Sequence, residues 1–150
     1  MSVETIGKDS AQIELTVFTV GDILCAVEND RVREISGLRA ITPVHHAPEH
    51  VRGVVNLRGQ IMTIIDLGVR LGIGAVPEDR NSRILVVRSG EEDIGLLVDG
   101  IEDVKTVSAS DMEPPPSNVQ GLSGAFLKAI LKEKDDLACI VDMEKILHID

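Results

Sequence analysis

Tryptophan and tyrosine are absent from this chain of 150 residues, and phenylalanine occurs only twice. That scarcity argues against a ligand cavity lined with rings. It also removes the stacking platforms of single-strand nucleic-acid binders. Positive charge is short as well: 15 Lys and Arg stand against 25 Asp and Glu, a formal charge of -10. Phosphate contacts need a basic surface, so no nucleic-acid partner is expected, and a neutral or basic protein partner fits the charge better. The only cysteines, Cys25 and Cys139, each sit inside an apolar run, which reads as two buried thiols rather than a disulfide. No apolar run approaches the ~18 residues of a membrane span, and Met1 to Gln12 lacks the charged and apolar regions of a signal peptide. The expectation is a soluble cytoplasmic protein without direct membrane insertion. No glycine-rich phosphate loop, nucleophile elbow or paired-Cys motif occurs, so neither enzyme activity nor a cofactor is expected.

What is present is aliphatic. Hydrophobic residues make up 43% of the chain, enough for a packed core of Val, Ile and Leu, which favours β-structure. Glu14 to Val20 and Ile23 to Val27 read as a hairpin around Gly21-Asp22. Asn29 to Ile35 is either a helical turn or a strand, with Val32 and Ile35 as apolar anchors and Ile35 assigned to the core. Val51 to Asp66 forms a second hairpin, its turn supplied by Arg58-Gly59 with Asn56 bonding to its own turn. Arg58 stands at the corner of that apolar ribbon, where a half-buried guanidinium is costly unless paired. Glu34 is its predicted partner. Leu67 to Leu71 reads as a short helix capped by Asp66, and residues 72–81 as a linker. Ile84 to Arg88, Asp93 to Val98 and Ile101 to Val107 are further strands, followed by the extended spacer Pro114-Pro115-Pro116.

The halves repeat. Val17 to Ile35 matches Val86 to Val104 at an offset of 69, setting Gly21 on Gly90, Glu34 on Asp103 and Ile35 on Val104. Ile61 to Leu71 matches Leu137 to Leu147 at an offset of 76, setting Asp66 on Asp142. Val51 to Val54 lines up with Val119 to Leu122. This repetition decides Ala125 to Lys132 as strand, although its apolar spacing would also suit a helix. It also assigns Asp142, like Asp66, to helix capping rather than to a catalytic carboxylate pair. Short strands of this kind close naturally into small β-barrels.

Leu15 to Gly21, Val32-Arg33-Glu34-Ile35, Ile41-Thr42-Pro43-Val44, the block Gly53-Val54-Val55-Asn56-Leu57-Arg58-Gly59, Gly95 to Asp99 and Ile140-Val141-Asp142 together resemble the CheW-like family of chemotaxis coupling proteins. The resemblance implies an all-β fold with short helices: two small five-stranded β-barrel subdomains packed around a shared aliphatic core. The domain would span residues 13–149, made of two pseudo-repeated β subdomains, after a flexible tail over residues 1–12. It further implies a non-catalytic adaptor that binds the regulatory domain of a CheA-type histidine kinase and the cytoplasmic tip of chemoreceptors, recruited to membrane receptor arrays. Alternatives are the same fold in a different kinase pathway, such as surface motility or gene regulation, or a small β-barrel enzyme or ligand-binding protein.

Thr63 departs from a frequent proline of the family, Cys25 from an aromatic or aliphatic residue, and Asn29-Asp30-Arg31 is more polar than the usual segment. By resemblance the docking residues are Val32, Glu34, Gly53, Val54, Asn56, Leu57, Arg58 and Gly59. Gly53 and Gly59 also read as backbone requirements, positive φ or close approach of a neighbouring strand. His45, His46 and His50 suggest a metal through their spacing, but Pro48 interrupts a helix that would bring His46 and His50 onto one face. A surface loop is expected, with no metal.

Overall fold

The computed structural model describes residues 11–133 and 135–148. Most of the tail expected over residues 1–12 falls outside them, and Gln12 already belongs to the first strand.

The chain runs β1 (Gln12–Val20), β2 (Ile23–Glu28), β3 (Val32–Gly37), β4 (Val51–Leu57), β5 (Gln60–Asp66), α1 (Leu67–Leu71), β6 (Arg83–Ser89), β7 (Glu92–Val98) and β8 (Gly100–Ser108). It continues through β9 (Met112–Glu113), β10 (Asn118–Val119), β11 (Leu122–Ser123), β12 (Leu127–Glu133), β13 (Asp136–Val141) and α2 (Met143–Leu147). Both alternatives for Asn29 to Ile35 are realised in series, a 3-10 turn over Asn29–Arg31 and then β3. Ala125 to Lys132 is mainly strand, entered through a 3-10 turn at Gly124–Phe126.

Two sheets carry the fold. One has the order β8-β1-β2-β13-β12-β9 and the other β3-β6-β7-β5-β4. Neighbours are antiparallel except at β2–β13 and β5–β7. The sixth strand of the larger sheet is the two-residue β9, so each sheet has a five-stranded frame.

The frames are equivalent, but neither is built from one half of the sequence. The first hairpin, β1–β2, pairs with β8 and β13 of the second half. The hairpin β6–β7 pairs with β3 and β5 of the first. The two repeats have exchanged their leading hairpins. Equivalence extends to the β-bulges. Register shifts occur at Arg33 on β3 and at its counterpart Glu102 on β8. They occur again at Arg52 on β4 and Lys128 on β12. This last pair corrects one alignment: the counterpart of Val51 to Val54 lies on β12, not at Val119 to Leu122, which form the separate β10–β11 hairpin.

One aliphatic core spans both sheets. Phe18, Val20 and Val27 from one meet Ile64, Leu85 and Leu96 from the other. A smaller cluster around Leu15, Val17, Leu131 and Ile140 fills the opposite face of the six-stranded sheet. The segment read as a linker is fastened: Val76 is buried, and its N–H donates to Asp66.

Candidate functional site

The hairpin β4–β5 turns through Arg58 and Gly59, both at positive φ (54° and 81°). Two such residues make the tight turn whose twist matches that of the flanking strands. Asn56 Oδ1 accepts the Gly59 N–H at 3.0 Å, closing the turn as expected. The same chemistry recurs at Asn118, whose Oδ1 accepts from Gly121 at 3.0 Å with Gln120 and Gly121 at positive φ. An Asn-x-x-Gly turn therefore forms without an arginine, which leaves the Arg58 guanidinium free of any turn-making duty.

That guanidinium forks onto Glu34, Nη1 donating to Oε1 and Nη2 to Oε2 at 3.1 Å. Glu34 lies on β3 and Arg58 directly after β4, the two outer strands of the five-stranded sheet. Laid flat, five strands about 4.8 Å apart would separate their outer members by roughly 19 Å, beyond the reach of an arginine. The sheet is therefore curled enough to bring Glu34 within reach of Arg58, and the ion pair bridges its two edges. Expecting Arg58 to be a half-buried charge is incorrect, since its side chain is 74% exposed.

The half-buried guanidinium belongs to Arg52, 25% exposed against an Asp66 side chain that is 2% exposed. The bulge takes Arg52 out of the ladder and turns it across the end of β5, where Nη2 donates to Asp66 Oδ2 at 2.8 Å. It also donates to the Val76 carbonyl and to Glu78. Partial burial works against its charge, but Asp66, by hydrogen bond and charge, outweighs this with help from Glu78 and leaves the Arg52 pKa above its ordinary value. Asp66 caps α1 through the Val69 N–H at 3.1 Å, as Asp142 caps α2 through Glu144 at 3.1 Å. Both caps are as the sequence predicts, whereas the Arg52–Asp66 pair is not among its expectations. The signal was an arginine beside Gly53 on a strand otherwise almost wholly apolar.

Around the bridged edges, Asn56 and Gly59 are exposed, while Val32, Glu34 and Val54 are half-buried. Gly53 and Leu57 are buried, so these two shape the surface from beneath. Gly53 has φ +149°, and a Cβ there would lie 2.2 Å from the Thr42 carbonyl oxygen. Both predicted reasons for a glycine apply at this position. Thr42 and Val54 exchange backbone hydrogen bonds of 2.8 Å each way, which seats the backbone of Thr42 against β4. Ile35, assigned to the core, is instead 42% exposed beside Glu34. β3 is an edge strand, and only alternate side chains of an edge face inward; Ser36 takes the buried position.

Ile61, directly after the turn, is 68% exposed. It borders an open concavity of 490 Å³ together with Leu57, Met62, Arg88 and Asp93. Asp93 lies between Arg33 and Arg88, at 3.4 and 3.8 Å, and Glu91 and Glu92 also line the depression. The polar segment 29–31 is also engaged. Thr16 donates to Asn29 Oδ1 at 2.6 Å, and Arg31 pairs with Glu144 at 2.8 Å.

In the histidine loop, His45 and His46 lie with ring centroids 4.0 Å apart, and the His50 carbonyl accepts the Asp66 N–H. Among the described residues no group of three or more His, Cys, Asp or Glu side chains is placed to hold a metal. No helix among them is long and apolar enough to cross a membrane.

The fold and site define an all-β scaffold whose distinctive side chains lie on turns and sheet edges. The CheW-like domain family matches residues 14–150, and the chain belongs to that family. It is 36% identical to the chemotaxis protein CheW of Rhizobium meliloti over 133 residues, covering 89% of this chain and 86% of that protein. It is 32% identical to the chemotaxis protein CheW of Klebsiella aerogenes over 144 residues, 96% of this chain and 84% of that one. Among solved structures, the scaffolding protein TtCheW from Thermoanaerobacter tengcongensis superposes with a TM-score of 0.84 at 30% identity, covering 92% of this chain and 89% of the other.

Proposed function

We infer that this chain is a non-catalytic adaptor of bacterial chemotaxis, coupling the cytoplasmic tips of chemoreceptors to the regulatory domain of a CheA-type histidine kinase. It works in the cytoplasm, at membrane receptor arrays. The family membership and the relatives described as chemotaxis and scaffolding proteins support this reading. The observation that carries it is the exposed Arg58–Glu34 fork across the two edges of the five-stranded sheet.

A fixed bidentate pair presents its charges in one orientation, which orients a partner more than it stabilises the fold. Apolar contact area lies beside it at Val32, Ile35 and Val54. Asn56 and Gly59 set the shape of the turn, and Gly53 and Leu57 support the strand beneath it. Docking of this kind is mostly apolar with a few oriented polar contacts, and its modest affinity is multiplied by the avidity of an array.

The test is a pull-down against the kinase regulatory domain and receptor tips, with wild type, Arg58→Ala, and variants of Val32 and Glu34. Arg58→Ala is expected to remain folded and to impair receptor control of the kinase. Normal receptor control by that variant would refute the role of Arg58, and no binding to any kinase of this class would refute the adaptor reading.

A further inference from the structure

Cys25 lies on β2 and Cys139 on β13, and the two are direct register partners, flanked by Leu24 with Ala138 and Ala26 with Ile140. Register partners on neighbouring strands send their side chains to the same face. Packing agrees: Cys25, Val27, Cys139 and Val141 belong to the main core, whereas Ala26, Ala138 and Ile140 belong to the cluster on the other face. Strands run about 4.8 Å apart, inside the roughly 4.4–6.8 Å between Cα atoms that a disulfide spans. Both thiols are free and buried, and neither takes part in the docking surface.

Burial, reinforced by Cys139 alongside, pushes the Cys25 thiol well above its ordinary value, and burial raises Cys139 too. Neither is a standing nucleophile, so reaction waits on local opening. The β2–β13 seam lies between two buried clusters, so the opening that exposes one thiol exposes both. Its register covers three residue pairs, yet it alone joins β8-β1-β2 to β13-β12-β9 within the sheet.

We propose that Cys25 and Cys139 form a dithiol modification site, converted by peroxide-class oxidants to an intramolecular disulfide that clips the first hairpin of the fold to the last. On opening, one thiolate attacks the peroxide. An S–O bond forms, the O–O bond breaks, and the departing hydroxide leaves as water with the thiol proton. The second thiolate then attacks the sulfenic sulfur. The S–S bond forms, the S–O bond breaks, and a second water leaves. Two thiols and one peroxide give one disulfide and two waters.

The full reduced chain is treated with hydrogen peroxide, quenched, alkylated under denaturing conditions and examined by mass spectrometry and peptide mapping. Far-UV circular dichroism checks that it stays folded. The expected product is a monomer lighter by two hydrogens, with both thiols blocked together, a Cys25–Cys139 linked peptide, and full recovery on adding dithiothreitol. Cys25→Ser abolishes that species. Retention of both thiols, linkage between two molecules, or separate oxidation of each cysteine to sulfinic acid would overturn the proposal. The wild-type peptide map decides the matter even where a variant folds poorly.

Discussion

Arg52 and Arg58 stand on one hairpin and do different work. Arg52 neutralises a carboxylate that the core has enclosed, so Arg52→Ala leaves Asp66 buried without its counter-ion. Breaking a buried pair from one side costs about 3 kcal/mol or more, and a fall of that size in unfolding free energy by denaturant titration is expected. Arg58 pairs with Glu34 in solvent, where such pairs contribute less than about 1 kcal/mol. Arg58→Ala should barely move the denaturation midpoint, which would separate the docking role proposed for it from stability. His50 adds a pH dependence. Burial, with Arg70 nearby, lowers its pKa from the ordinary 6.5, against a smaller opposing effect of Glu49. The unfolded chain then binds a proton that the folded one refuses, so stability is complete above pH 6.5 and declines as pH falls below it. His50→Gln should flatten this part of the thermal midpoint against pH; an unchanged slope would show that other groups set it.

Among the elements, the β4–β5 hairpin depends on two glycines for different reasons. At Gly53 the backbone of Thr42 occupies the space a side chain would need, and φ is positive. Gly53→Ala is expected to cost more than about 3 kcal/mol and to break the Thr42–Val54 bridge, seen as faster amide exchange at Val54. Gly59 has open space around it and only its φ to protect. There Gly59→Ala should cost about 1–2 kcal/mol. The turn, the Asp66 and Asp142 caps and the Asn56 bond were all legible in the sequence, because each acts within three residues of itself. The bulges were not. A bulge at Arg52 or Lys128 exists only relative to the strand opposite, and one chain read in order carries no register.

At the scale of the whole molecule, the exchanged hairpins make each sheet a joint product of both halves. Fragments 1–80 and 81–150 are each expected to lack stable structure alone, since β1–β2 would lose β8 and β13, and β6–β7 would lose β3 and β5. Mixed or co-expressed, they should recover the far-UV circular dichroism of the intact chain. Independent folding of either fragment would contradict the exchange. The repeat in the sequence announced two related units, yet it described the covalent order and not the spatial one.

The sequence by itself determined what short-range chemistry controls: the aliphatic β-structure, the tight turns, the capped helices, the pseudo-repeat and the family likeness. Even the Arg58–Glu34 pair could be named from it. Tertiary structure alone decided that Ile35 faces outward on an edge, that Asp66 takes Arg52 as its counter-ion, and that two cysteines more than a hundred residues apart are register neighbours. The physical reason is that burial and pairing are properties of adjacent strands. Which strands become adjacent is set by the packing of the whole core, a long-range outcome that no local pattern encodes.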